Sequence, residues 1–333
     1  ADAAAAAPQA LLRGAEDLGL SALGIPEALG GVGGERSAVT NTLVAEALAH
    51  GDLSLAVAVL APSAVSNALV LWGDAAQQAT YLPAFVGEHA PVAALAIHEP
   101  QPLFDPFALQ TTARMDNGGY VLSGVKSLVP RAASAELFIV AARLEGGIPA
   151  LFIVESSNAG LGIESEPAMG LRAAATARLH LRDVCVPATA LLGSASAEVY
   201  RECIALSRTA WSALAVGTAQ AALDYLIPYV NERVAFGEPI SHRQAVAFSI
   251  ADISIELEGL RLLTWRAASR AERGDSFARE AALARRLTAD KAVRIGSEAV
   301  QLLGGHGFVK EHPVERWYRD LRAAGIVEGV VLV

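Results

Sequence analysis

The sequence predicts an α+β protein in three successive parts: a helical region over residues 1–94, a small β-rich region over 95–190 and a helical bundle over 191–333. Three observations carry this. In the first part small and apolar residues recur at helical spacing with few β-branched runs. In the second, Leu137-Phe-Ile-Val140, Ala150-Leu-Phe-Ile-Val154 and Leu179-His-Leu-Arg-Asp-Val-Cys-Val186 are short β-prone runs separated by Gly, Asn and Pro turns. From about residue 196 helical periodicity returns and is interrupted at Gly237-Glu-Pro239, Gly274 and Gly304-Gly305.

Within the first part, Leu53 to Gly73 carries no charge and is long enough to span a membrane. Pro62 near its middle, with Ser54, Ser63, Ser66 and Asn67, predicts two buried helices and no membrane span. In the second part, Asn117-Gly118 between a Thr-rich and a Tyr-Val-Leu segment predicts a hairpin. The chain of 333 residues is long enough to bury a large core. Its hydrophobic content of 53% points either to extensive subunit interfaces or to a place in a membrane. A net charge of −9 without a basic cluster argues against nucleic acid and anionic membrane surfaces. Cys185 and Cys203 stand far apart with no metal-ligand pattern, which fits a reducing cytoplasm, and Cys185 reads as a core residue. His98, His242, His306 and His312 lack metal-ligand spacing, so no metal site is expected. Arg13 and Glu16 interrupt the Ala-rich start, and no targeting segment is read there.

The chemistry concentrates near the end. Glu328 is the single charged residue in Ala323-Ala-Gly-Ile-Val-Glu-Gly-Val-Val-Leu-Val333. A carboxylate in so apolar a setting is either a solvated residue at a helix end before Gly329, or a base held out of water. Desolvation raises a carboxyl pKa toward the working pH, which suits a general base. Upstream stand Gln301-Leu-Leu-Gly-Gly-His-Gly-Phe308, Glu311-His-Pro-Val-Glu-Arg-Trp-Tyr-Arg-Asp-Leu-Arg322 and Ile326-Val-Glu-Gly329.

This ordered set resembles the acyl-CoA dehydrogenase family, with its Q-x-x-G-G-x-G-F turn, its helix ending in R-D and its I-x-E-G segment. The resemblance extends through Gly24-Ile-Pro-Glu-Ala-Leu-Gly-Gly31, Tyr81-Leu-Pro83, Ala94-Leu-Ala-Ile-His-Glu-Pro100, Tyr120-Val-Leu-Ser-Gly-Val-Lys126, Gly170-Leu-Arg172, Asp183-Val-Cys-Val-Pro187 and Arg233-Val-Ala-Phe-Gly237. It implies an N-terminal helical domain, a small central β-barrel-like domain and a C-terminal four-helix bundle. It also implies FAD and α,β-dehydrogenation of an acyl-CoA to the trans-2-enoyl-CoA, with Glu328 as the α-proton base and the β hydrogen leaving as hydride to flavin N5. Ser207, before Arg208, offers no competing carboxylate.

By the same resemblance, Arg233, Phe236 and Gln244 hold the pyrophosphate and adenine end of FAD, and Gln301, Gly304 and Gly305 meet FAD from a neighbouring subunit. An arginine fork suits phosphate oxygens, and glycine allows close backbone approach. Ile97, His98, Leu128 and Pro130 fall at the flavin; Arg208 and Phe104 fall at the substrate, while Arg172 reads as structural. The implied partners are an acyl-CoA, an electron-transferring flavoprotein and further subunits in a homo- or hetero-oligomer, dimer or tetramer.

Several positions depart from the family pattern. His98 stands for Thr or Ser before E-P, and Phe104 for the serine of G-S-D. Leu128 and Pro130 replace the flavin-packing aromatic and a hydroxyl, Ile204 and Ala205 an aromatic and an aspartate, and Val330 the threonine of E-G-T. These departures leave open an active enzyme with an unusual substrate, a partly degenerate subunit of a heteromeric dehydrogenase that supports a partner's FAD site, and a relative oxidising a non-CoA substrate. They also leave open a scaffold without cofactor.

Overall fold

The computed structural model describes residues 1–31, 34–87 and 89–333. Four helices come first: α1 (Gln9–Asp17), α2 (Ala38–Gly51), α3 (Leu53–Trp72) and α4 (Ala75–Phe85). Eight strands follow: β1 (Ala93–Ala96), β2 (Thr112–Asp116), β3 (Gly119–Val129), β4 (Leu137–Leu144), β5 (Pro149–Glu155), β6 (Leu161–Ser165), β7 (Ala177–Pro187) and β8 (Leu191–Leu192). The chain then forms α5 (Ala197–Glu232), a small ribbon of β9 (Val234–Ala235) and β10 (Glu238–Pro239), α6 (Gln244–Glu272), α7 (Ala278–Leu303) and α8 (Val314–Leu321).

The sheet runs β6-β7-β3-β2-β4-β5-β8, with β1 parallel to β4. Asn117 and Gly118, both at positive φ, turn β2 into β3 as the sequence predicts. In β4 the two-residue period divides the strand between two cores: Leu137, Ile139 and Ala141 face the helices, while Phe138, Val140 and Ala142 join the sheet's own core. Three strand spacings of about 4.8 Å would separate β3 from β5 in a flat sheet. The Tyr120 and Phe152 rings, on β3 and β5, are nonetheless 5.1 Å apart, so the sheet curls on itself as a barrel does. The same period turns Cys185 outward between buried Val184 and Val186, contrary to its expected place in the core.

The expected break at Pro62 does not occur: α3 is one helix, long and apolar enough to cross a membrane, but 89% of its most apolar window is buried inside the fold. Proline lacks the N–H that would bond the carbonyl four residues back. That carbonyl, on Ala58, lies 3.5 Å from the Arg131 guanidinium, which offers a substitute donor from the β-region. The surrounding core supplies the rest of the tolerance.

Helix α2 lies directly on α5. A side chain at Gly217 would strike the Glu46 carbonyl, and Thr218 Oγ1 donates to Ala49 O at 2.9 Å. Gly217→Ala should therefore lower unfolding stability in urea by about 1–3 kcal/mol through overpacking. Gly14→Ala in α1, where nothing lies within 4 Å of the new carbon, should raise it by up to about 1 kcal/mol.

Candidate functional site

The site forms where three segments meet: the exit of β1 (Ile97–Glu99), the end of β3 (Lys126–Pro130) and the final stretch Val327–Val333. The first two are clamped together by an ion pair wholly out of water, Lys126 Nζ to Glu99 Oε1 at 2.7 Å. Lys126 also donates to Ile97 O at 3.2 Å, and Ser127 N–H to His98 O at 2.9 Å. Glu99 accepts the Gln110 and Thr111 N–H groups as well, at 2.7 and 2.9 Å. Burial pulls Lys126 down to about 8 against the opposing pull of Glu99. Burial pushes Glu99 upward, and Lys126 with the donated hydrogen bonds outweighs it. A buried pair so fully bonded fixes geometry more than it adds stability. On the other side of β3, Glu166 takes Ser127 Oγ, the Leu128 N–H at 2.8 Å and Arg178 Nε at 2.7 Å.

Glu328 is 5% exposed. It lies beyond the last helical turn, so the reading of a solvated residue at a helix end does not hold. Neither is it alone, as the sequence implied. Arg208 on α5 grips it through Nε, at 3.2 and 3.1 Å to the two oxygens, and Nη2 at 2.9 Å; Arg285 Nε on α7 lies 3.5 Å away. Arg285 also donates to Ala324 O. Burial lowers its pKa while Glu328 opposes. The expected substrate contact Arg208 is thus engaged with the candidate base, its guanidinium 5.8 Å from the Phe107 ring. Arg285 escaped the sequence reading, yet it carries a signal: it stands on the small-residue stripe of Ala281, Ala284, Thr288 and Ala292, where a cation requires a buried partner.

Gly329 is at φ +81°, and a side chain there would come within 2.7 Å of Ile97. Its carbonyl accepts from Ser207 Oγ and Trp211 Nε1, both at 2.8 Å. Val330 follows at φ +84°, a conformation that costs a β-branched residue on the order of 1–3 kcal/mol. Val330–Val333 are buried in the main core, and Arg36 donates to Val333 O.

His98 is buried, with its ring edge against Phe104 at a centroid distance of 4.8 Å, and its Nδ1 has no partner among the described residues. Burial lowers it to about 4, with the nearby Glu328 charge opposing, so the imidazole is neutral. Beside these loops a cavity of about 110 Å³ lies between Leu128, the turn Met169-Gly-Leu171 and Ile326–Val327. Its far wall includes Arg319 and Arg322. Ile204 and Ala205 are buried, whereas Arg172 bonds Asp2 O at 2.9 Å, in keeping with a structural role.

The remaining expected residues gather elsewhere. Arg233, Gln244, Gln301, Gly304 and Gly305 are exposed, and Phe236 is 95% exposed. They share one end of the helical bundle, because Tyr229 O–H near the end of α5 donates to Leu303 O at 3.3 Å and meets His306 Nδ1 at 2.9 Å. Arg208 on α5 and Arg233, which caps the end of that helix, are 25 positions apart, which is about 37 Å along the helix axis. A single chain therefore separates the two sets.

Sequence models of the acyl-CoA dehydrogenase N-terminal, middle and C-terminal domains match residues 1–88, 94–184 and 197–331. The short-chain specific acyl-CoA dehydrogenase of Bos taurus mitochondria is 35% identical over 335 residues, covering 97% of this chain and 79% of that protein. The chain belongs to the acyl-CoA dehydrogenase family. Butyryl-CoA dehydrogenase from Megasphaera elsdenii superposes with a TM-score of 0.88 at 30% identity, over 98% of this chain and 88% of that one. The prolyl acyl carrier protein oxidase AnaB superposes with a TM-score of 0.87 at 27% identity, over 97% and 87%. The family is one of FAD-dependent oxidoreductases acting on CH–CH groups.

The residues present fit that cofactor. The cavity beside Leu128 and Val327 is lined mostly by apolar side chains, as a ring system needs. The unpaired His98 Nδ1 calls for a ligand atom. At Gly304 and Gly305 the space a side chain would fill is open. Pro130 supplies no N–H and the Leu128 N–H is already bonded, whereas His98 Nδ1 has no partner among the described residues.

The His98 shift has a testable sign. Its folded value of about 4 lies below the ordinary 6.5, so the unfolded chain binds more protons between them. Its contribution is complete above pH 6.5 and is lost as pH falls toward 4. His98→Phe should flatten the fall of urea-unfolding stability across that interval by on the order of 3 kcal/mol.

Proposed function

We propose that this chain is an acyl-CoA dehydrogenase that converts an acyl-CoA to its trans-2-enoyl-CoA, with Glu328 removing the α proton. The observation that carries the reading is a buried carboxylate, 5% exposed, fixed by two guanidiniums against the Ile97–His98 loop. When bound, FAD supplies the acceptor for the β hydrogen, which leaves with its electron pair as the α–β double bond forms. Glu328 receives the α proton on a carboxylate oxygen. Arg208 and Arg285 orient that carboxylate, and Trp211 and Ser207 anchor the peptide that follows it. Burial of the surrounding strand end and of Val327 excludes water from the reacting carbons.

Ile97, His98 and Leu128, with Pro130 behind them, would hold the ring end of FAD. Arg233, Phe236, Gln244, Gln301, Gly304 and Gly305 would hold the adenine end of the cofactor in a second subunit, since about 37 Å of helix separates them from this chain's own base. Exposed Phe248, Ile255 and Leu262, seven residues apart on α6, with Trp265, offer the apolar face such an oligomer requires. An electron-transferring flavoprotein is the proposed electron acceptor.

A second reading, a carrier-bound or other non-CoA substrate, draws support from two places. Phe104 turns onto His98, and Ala205 is buried, so neither offers the polar contact with coenzyme A that the family has there. AnaB supplies the precedent within the fold.

Anaerobic addition of an acyl-CoA panel to the purified, flavin-loaded protein distinguishes these. The first reading predicts bleaching of the flavin band. Glu328→Gln should keep flavin and lose bleaching by at least about 100-fold in rate, whereas Arg233→Ala should lose flavin. Unchanged bleaching in Glu328→Gln would remove that residue from the mechanism.

A further inference from the structure

We propose that His98 is a second station for the α proton: Glu328 takes it from the substrate and passes it to the His98 imidazole, which holds it while the cofactor stays reduced. The proposal rests on the dehydrogenase reading of Glu328 and on the place of His98 at the ring end of FAD. The observation behind it is an unused nitrogen. His98 is 7% exposed, and its Nδ1 has no partner among the described residues. A buried polar atom left unpaired calls for a ligand or a task. The backbone that carries it is fixed, because Ser127 N–H donates to His98 O at 2.9 Å. The ring is fixed too, with Phe104 against it at a centroid distance of 4.8 Å. Gly329 lies so close to Ile97 that a side chain on it would come within 2.7 Å. The peptide that follows Glu328 and the loop that bears His98 therefore face each other.

The surrounding charges give the transfer its direction. When Glu328 takes a proton, Arg208 and Arg285 lose the anion they share, and passing the proton on restores it. In the resting site the imidazole is neutral. Burial pulls it down to about 4; Glu328 and Glu166 oppose that, and Arg285 and Lys126 reinforce it. These are the charged groups that act on it from the final segment, the turn before β7, α7 and β3. Lys126 is itself matched by Glu99. Turnover alters this balance. The β hydrogen leaves with its electron pair, so the cofactor gains one negative charge, and an added anion nearby favours the imidazolium. Atoms and charge are conserved throughout. The substrate loses a proton and a hydride, the proton ends on His98 Nδ1, the hydride ends on FAD, and Glu328 returns to the carboxylate. In the family pattern Thr or Ser stands at this position, and a hydroxyl takes up no proton in this range.

The test reads the imidazole itself and needs no turnover. Flavin-loaded protein with nitrogen-15-labelled histidine is followed by NMR at about pH 6, oxidised and then reduced anaerobically with dithionite. The His98 signal is the one lost in His98→Gln. It should be that of a neutral ring in the oxidised protein and of an imidazolium in the reduced one. Potentiometry gives an independent measure. Each proton taken up in a two-electron reduction changes the equilibrium tenfold per pH unit, or about 30 mV. Between about pH 5 and 6.5, the midpoint potential of the parent should fall with pH more steeply than that of His98→Gln or His98→Thr by that amount. Both variants keep a polar side chain and remove the titrating group, so a purely structural His98 would leave the slope unchanged. A ring that stays neutral on reduction, or equal slopes in parent and variants, would overturn the proposal and leave bleaching by acyl-CoA, and with it the dehydrogenase reading, intact. Absence of that bleaching in the parent would overturn the dehydrogenase reading and the relay together.

Discussion

One buried carboxylate organises the C-terminal half of the molecule. Glu328 draws Arg208 from α5 and Arg285 from α7 to a single point, and Arg285 reaches on to the Ala324 carbonyl. Two cations this deep are tolerable only because they share an anion and bond further oxygens. Truncating Glu328 to an apolar residue would leave the Arg208 and Arg285 charges facing each other without their shared anion, where little water reaches to screen them. The packing of the last turn against the helices therefore depends on the same group that carries the chemistry. The substitution that best tests the reaction is for this reason the isosteric amide, which keeps hydrogen-bonding oxygen and volume.

Much of the architecture was legible in the chain because it rests on local period. The alternation in Leu137–Leu144, the Asn117-Gly118 turn and the return of helical spacing after residue 196 each appear where a two- or 3.6-residue repeat requires them. The same alternation should have turned Cys185 outward, since Val184 and Val186 flank it. Pro62 misled because its cost depends on what surrounds it, and a guanidinium from residue 131 is invisible to a window on α3. The candidate site was legible in part. Glu328 stood out by being the one charge in an apolar run, but its pairing with residues 120 and 43 positions away could not be read from spacing. Arg285 was the miss that a closer look at the α7 stripe could have avoided.

The departures from the family pattern acquire a physical sense once their surroundings are known. Proline at 130 and the Glu166 carboxylate on the Leu128 N–H remove two donors from the β-region face, while a neutral, unpaired imidazole appears at residue 98. Phe104 packs on that imidazole, so the two substitutions belong together: the ring edge shields the histidine and burial keeps it uncharged. Polar capacity has moved from one strand to the adjoining loop without leaving the neighbourhood.

The Arg131 contact with the α3 carbonyl has a wider consequence. Together with the Ser54 hydroxyl, which accepts the Ala174 N–H at 3.0 Å, it stitches the long apolar helix to the curled sheet at two separate places. Hinge opening between those bodies would have to break both stitches and expose a proline-interrupted backbone to water.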